Sequence, residues 1–223
     1  MLLSKQHGLE KYKSSVISIV ENCIMKGEQN MFLLSKRVID FSFSLAILIS
    51  LSGVFLFLCL VIKLDSPGPI LFKQKRIGKR KKEFNILKFR TMKIDAPNDM
   101  PTHLLDKPDA YITRVGKVLR KTSLDELPQL INIIKGEMSI VGPRPALWNQ
   151  YDLIAERDKY KANDVLPGLT GLAQINGRDE LPIEVKAKLD GEYVEKKNPV
   201  LDSEIFVKTL LSVLKRDGVK EGK

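Results

Sequence analysis

Asp125 and Glu126 are adjacent carboxylates that lie between Arg120 and Arg144, and Arg144 is itself locked between Pro143 and Pro145. Chemistry on a pyrophosphate calls for a nucleophile, a hard cation, and arginines that neutralise charge spreading over phosphoryl oxygens. Residues 120–146 offer a candidate for each part. Asp125 could attack, Glu126 could hold the cation, and Arg120 and Arg144 could take up phosphate charge. In an arbitrary chain an S-x-D-E run is an ordinary helix cap with a solvated first-turn acid. The arginines around this one point to chemistry instead.

The pair has to be positioned by the helix that follows it. Ser123 and Glu126 have the spacing of a capping box, Leu127, Leu130, Ile131 and Ile134 form an apolar face, and Lys135-Gly136 reads as a charged last turn with a glycine stop. Pro128 lacks an N–H and disfavours helical geometry at Leu127, so the regular helix is expected to begin at Pro128 with both acids on the entry turn. Unpaired N–H groups and the helix dipole favour negative charge there, so Asp125 is expected to stay ionised. The prolines around Arg144 stiffen its backbone and lower the cost of ordering a guanidinium fork on phosphate oxygens.

The run L-D-E-L-P-Q-L, followed by K-G-E-M-S-I-V-G-P-R-P, resembles the monotopic phosphoglycosyl transferases, the bacterial sugar transferases that begin cell-surface glycan assembly on a polyprenyl phosphate. Matching segments extend the resemblance from Lys36-Arg37 through Pro167 to Arg178. It implies transfer of a sugar 1-phosphate from a UDP-sugar to undecaprenyl phosphate, with UMP released and an aspartyl-phosphosugar intermediate on Asp125. It further implies Mg²⁺ on Glu126, and phosphate or nucleotide contacts from Lys88, Arg90, Arg120, Pro143, Arg144, Pro145, Gln174 and Arg178. Relatives carry Ser-Pro in the membrane segment where this chain has Ser52-Gly53, and usually tryptophan where it has Leu172.

Composition bounds the rest more loosely. The 223 residues suffice for one good core, and a formal charge of +10 points to an anionic partner: a membrane surface, nucleic acid or a phosphorylated substrate. No reading motif or interleaving of aromatic with basic residues supports nucleic acid. Two cysteines make no disulfide framework; Cys59, inside an apolar run, reads as packing in a cytosol-facing protein.

Leu9, Tyr12, Val16, Ile19, Val20 and Cys23 recur at helical spacing, which predicts an amphipathic helix lying on lipid or packed on the protein body. Residues 41–62 carry no charge and are long enough to cross a bilayer. Basic residues flank both ends, Lys36 and Arg37 before and Lys63, Lys73, Lys75 and Arg76 after, so a segment that returns to its own face avoids moving charge across. Ser52-Gly53 is the expected break, with one spanning helix as the alternative. Residues 70–74 and 84–92 read as strands, the second with Lys88 and Arg90 on its polar face. The basic run 79–82 reads as a turn against anionic headgroups. A glycine-punctuated loop over 167–178 is no P-loop, and a C-terminal helix carries Asp190, Tyr193 and Asp202 close before or within it.

The fold expected from these signals is α+β: a re-entrant membrane helix-break-helix, interfacial amphipathic helices, and a small β-sheet around a cytosol-facing active site. Residues 1–33 form an amphipathic extension, 34–64 the hairpin and 65–223 the catalytic domain, on the cytoplasmic face of the bacterial inner membrane. The rival function is a non-catalytic basic adaptor at the membrane surface, for which the net charge alone would suffice.

Overall fold

In a computed structural model, which describes residues 27–97, 108–177 and 181–215, the uncharged run does not form one straight helix. It is shared by α1 (Gly27–Ser50) and α2 (Ser52–Asp65), which meet at Leu51 with a bend of 65°. Among the described residues no single helix is long and apolar enough to cross a membrane, and α1 and α2 meet that test only as a pair. The break falls one residue before Ser52-Gly53, which open α2, while Leu51 takes φ −97° and ψ 12°. The amphipathic stretch before residue 27, residues 98–107, Arg178 and the basic tail lie outside the described residues.

The chain divides into two compact units, Met1–Ile39 and Asp40–Lys223. Within the second, Asp40, on α1, is buried and accepts hydrogen bonds from Ser139 Oγ at 2.6 Å and from the Ile140 amide at 3.2 Å. A buried carboxylate needs such partners, and these fasten that part of α1 to the strand that begins at Ser139. From Phe41 to Leu64 the two helices expose a series of large apolar side chains, among them Phe41, Phe43, Ile49, Leu56, Phe57 and Leu60.

Where one small sheet was expected there are two, each of two strands. β1 (Leu71–Ile77) and β2 (Glu83–Phe89) form an antiparallel hairpin in which Leu71 faces Phe89 and Ile77 faces Glu83. β3 (Ser139–Val141) and β4 (Gly168–Thr170) pair in parallel. The glycines of the 167–178 loop serve this second pairing: a Cβ on Gly168 would lie 2.2 Å from the Gly142 amide nitrogen.

Between the sheets run α3 (Pro108–Tyr111), α4 (Arg114–Lys121) and α5 (Gln129–Lys135), and after them α6 (Tyr151–Asp158), α7 (Leu172–Ile175), α8 (Ile183–Lys196) and α9 (Pro199–Lys215). Thr113 caps α4 by accepting from the Gly116 amide at 2.9 Å. Gly116 is required by close approach, since a Cβ there would meet the Thr91 carbonyl oxygen at 2.1 Å. Two apolar clusters result. Ile86, Leu130, Ile133, Met138, Ile140, Val141, Tyr193 and Ile205 form the larger; Leu58, Ile62, Phe89 and Leu119 form the smaller, under α2. Leu127 packs against both, so the acidic turn before α5 is seated where the two meet.

Candidate active site

α4 ends in Arg120 and Lys121, and Ser123 then turns the chain with φ 56° into a single 3-10 turn, Leu124–Glu126. The expected capping box does not form. Ser123 is left-handed rather than extended, and its side chain caps nothing. Glu126 is drawn elsewhere: its Oε1 accepts from Lys88 Nζ at 2.7 Å and from Arg144 Nη2 at 3.3 Å. Charge-assisted bonds to two cations outcompete one backbone amide. α5 begins at Gln129, one residue later than expected, with Pro128 at the cap position, and Gly136 closes the helix as expected, at φ 84°.

The buried face of α5 differs from the apolar one read from spacing: Gln129, Leu130, Asn132 and Ile133 are inside. Asn132 is the supporting residue that the sequence reading missed. Its Oδ1 accepts from the Leu87 amide at 3.0 Å, and its Nδ2 donates to Asn85 O at 2.9 Å and Glu137 Oε2 at 2.6 Å. That bridge fixes α5, which follows the acids, to β2, which carries Lys88. A lone amide amid isoleucines was the available signal.

Asp125 is 7% exposed, and its Oδ2 lies 4.0 Å from Lys88 Nζ. Burial pushes its carboxyl above the usual range; Lys88 opposes this, Glu126 adds to it, and Arg120 and Arg144 oppose it. The helix entry was expected to favour charge on Asp125; desolvation is the larger influence and works against that charge. Burial also works against charge on Glu126, but Lys88 and Arg144 outweigh it and hold that carboxyl down to about 2. Environment thus pulls two neighbouring acids apart, which is how adjacent carboxylates acquire different roles.

Arg144 is held from both sides. Pro143 O accepts from the Gly168 amide at 2.9 Å, while Pro145 O accepts from Arg76 Nη1 at 3.1 Å and Ala146 O from the Ile77 amide at 2.9 Å. Both prolines are buried, and the guanidinium between them remains 37% exposed by its side chain. Arg120 acts electrostatically on Asp125, and its Nη2 lies 3.9 Å from Met92 Sδ. Lys88, Arg120 and Arg144 therefore face Asp125 and Glu126 with an excess of positive charge. Such an excess of positive charge suits an incoming diphosphate.

Arg90 does not join them. β2 ends at Phe89, so the strand alternation stops before it, and the buried guanidinium turns to Pro69 O at 2.6 Å, Ser66 O at 2.6 Å and Ile62 O at 3.3 Å. The last carbonyls of a helix lack intrahelical donors, and Arg90 donates to one of them, Ile62 O, and to Ser66 O and Pro69 O just beyond the end of α2. Gln174, on α7, donates to Leu169 O at 3.3 Å. Ser52 and Gly53 lie exposed at the start of α2, and Arg178 is outside the described residues.

Among the described residues, no group of three or more His, Cys, Asp and Glu side chains could hold a metal. A carboxylate still suits one kind of ion. Mg²⁺ commonly takes one or two carboxylates and completes its shell with water and substrate phosphate oxygens, so a single carboxylate such as Glu126 is a donor of the kind that ion accepts.

Comparison with known proteins finds sugar transferases. The family described as bacterial sugar transferase matches residues 31–216. "Uncharacterized sugar transferase EpsL" of Bacillus subtilis (strain 168) is 40% identical over 187 residues, covering 83% of this chain and 90% of that protein. "Exopolysaccharide production protein PSS" of Rhizobium leguminosarum bv. phaseoli is 39% identical over 197 residues, covering 83% and 98%. "UDP-glucose:undecaprenyl-phosphate glucose-1-phosphate transferase" of Escherichia coli (strain K12) is 40% identical over 185 residues, covering 79% of this chain but only 39% of the longer protein.

Proposed function

The chain belongs to the bacterial sugar transferase family, and from that premise we propose that it transfers a sugar 1-phosphate from a UDP-sugar to undecaprenyl phosphate in exopolysaccharide synthesis. The observation that carries the reading is the buried Asp125 beside Glu126, with Lys88 and Arg144 on the glutamate and Arg120 near the aspartate.

In the first step a carboxylate oxygen of Asp125 attacks the β-phosphorus of the UDP-sugar. The bond from that phosphorus to the UMP oxygen breaks, UMP leaves with the electron pair, and the phosphosugar stays on the aspartate. In the second step a phosphate oxygen of undecaprenyl phosphate attacks the same phosphorus, which frees Asp125 and yields the lipid diphosphate sugar. Lys88, Arg120 and Arg144 offset the charge that builds on the phosphoryl oxygens. Glu126 would hold Mg²⁺, which when bound supplies further neutralisation of the diphosphate.

The bent pair α1 and α2 enters and leaves the membrane on the cytoplasmic face of the inner membrane. Support comes from the 65° bend, from the apolar side chains exposed on both arms, and from basic residues at both ends in sequence. Held there, the site lies where a lipid phosphate lies, which shortens the search for the acceptor.

Two measurements test these statements. UDP-sugars, UDP-glucose first, are incubated with protein and undecaprenyl phosphate, and UMP is measured; a donor labelled in the sugar is then supplied without acceptor. Label on Asp125 is expected, and its absence under conditions of turnover would remove the covalent route. Cysteines placed before Lys36 and after Lys63 should both be labelled only from the cytoplasmic side, and labelling of the two from opposite sides would overturn the re-entrant form.

A further inference from the structure

We propose that Gln129 is a positioning residue for the nucleophile, its Nε2 donating a hydrogen bond to the carboxylate of Asp125 when the site is loaded. The inference rests on Asp125 being the attacking group. Gln129 is the first residue of α5 and is 2% exposed, yet Nε2 finds no hydrogen-bond partner. An apolar side chain of the same length would avoid the cost of burying an unpaired amide, so an amide kept in this place calls for an acceptor that arrives or turns.

The backbone limits which acceptor it can be. Leu127 and Pro128 both have helical dihedrals, so a helical path runs from the acidic turn into α5. Long side chains on such a path lean back toward the N-terminus, over the residues three and four positions earlier. For Gln129 those are Glu126 and Asp125. Glu126 already accepts from Lys88 and Arg144 through Oε1. Asp125 accepts no hydrogen bond through its side chain among the described residues, and its nearest cation lies 4.0 Å away. Of the two, Asp125 has the open acceptor capacity. One carboxylate oxygen must be aimed at phosphorus, and a donor on the other would fix the rotation of the group.

The test uses the full chain. Gln129→Met keeps length and removes the donor; Gln129→Glu keeps shape and removes it when ionised. For each variant, melting temperature, KM for the UDP-sugar and the single-turnover rate of Asp125 labelling are measured. The expected result for Gln129→Met is a melting temperature equal to or above wild type, KM within about twofold, and labelling slowed by roughly 10-fold or more. Labelling at the wild-type rate would overturn the inference and leave the covalent route standing. A raised KM with unchanged rate would also overturn it, because Gln129 would then hold substrate. If the wild-type protein turns over without ever labelling Asp125, the underlying route fails first. Should Gln129→Met not fold, the Gln129→Glu rate decides in the same way.

Discussion

Two buried charge clusters in this protein are built to opposite plans. Arg157 on α6 meets Asp190 on α8 through Nε at 2.8 Å and Nη2 at 2.6 Å, with the two residues 4% and 1% exposed. One hydrogen-bonded cation answers one anion, with Lys186 acting on Asp190 only at a distance; both members of the pair are buried, and the pair joins two helices. Around Asp125 and Glu126 there are instead Lys88, Arg120 and Arg144, and the cluster opens to solvent through Arg144. Burial pushes the carboxyl of Asp190 upward, as it does that of Asp125, while Arg157 opposes it. The same desolvation therefore acts in both places. What separates a strut from a site is the unbalanced positive charge and the open side, which leave electrostatic work for a ligand.

The largest effects should come from removing one acid of each cluster. Asp125→Asn is expected to lower UMP release by on the order of 10⁴-fold while leaving the melting temperature unchanged or raised, since a neutral amide suits a buried position better than a charge. Asp190→Asn should leave Arg157 buried without its counter-ion and destabilise by about 3–5 kcal/mol in denaturant unfolding, with turnover falling only as the folded fraction falls. The contrast breaks if the folded Asp125→Asn protein turns over normally, or if Asp190→Asn unfolds at the wild-type midpoint.

A smaller pair of effects sharpens the same contrast among the arginines. Arg144→Lys keeps the charge but loses the planar fork, and turnover should fall by roughly 10- to 100-fold with little change in stability. Arg90→Lys should do the reverse. Losing donors to Ile62, Ser66 and Pro69 carbonyls costs about 1–3 kcal/mol, whereas turnover per folded molecule stays near wild type. Equal losses of turnover in the two variants would return Arg90 to the site.

These arginines also show what the sequence could and could not reveal. The acid pair, the proline-flanked arginine and the glycine stop of α5 were legible because each is a local pattern with a local cause. Glu126 looked like a cap because Ser123 stands three residues earlier; its true partners, Lys88 and Arg144, stand 38 and 18 residues away. Lys88 and Arg90 looked equivalent because strands alternate, but β2 ends between them and carbonyls at and just beyond the end of α2 claim Arg90. Asn132 broke an apolar pattern without saying that β2 would supply its partners. The bend at Leu51 falls within one residue of the position marked by Ser52-Gly53, although glycine permits a kink without imposing one. Local chemistry could be read, then, but competition between distant partners for one side chain could not.

The smallest expected effect lies at the far end of the hairpin, where charge is dense and exposed. Lys79, Arg80, Lys81 and Lys82 are all at the surface, and Lys81 pairs with Asp158 at 2.8 Å with both side chains about half exposed. Such pairs are worth about 0–1 kcal/mol, and the strands carry this tip roughly 20 Å from the hairpin end that meets α2. Replacing Lys79, Arg80 and Lys82 by serine should change stability by less than about 0.5 kcal/mol and leave UMP release in detergent at the wild-type rate. The adaptor reading makes the opposite demand, because there the basic face is the function and Asp125 is incidental. A tip variant that loses biological activity while retaining full turnover, beside an Asp125→Asn protein that keeps it, would make charge the working part of this molecule and the acid pair a bystander.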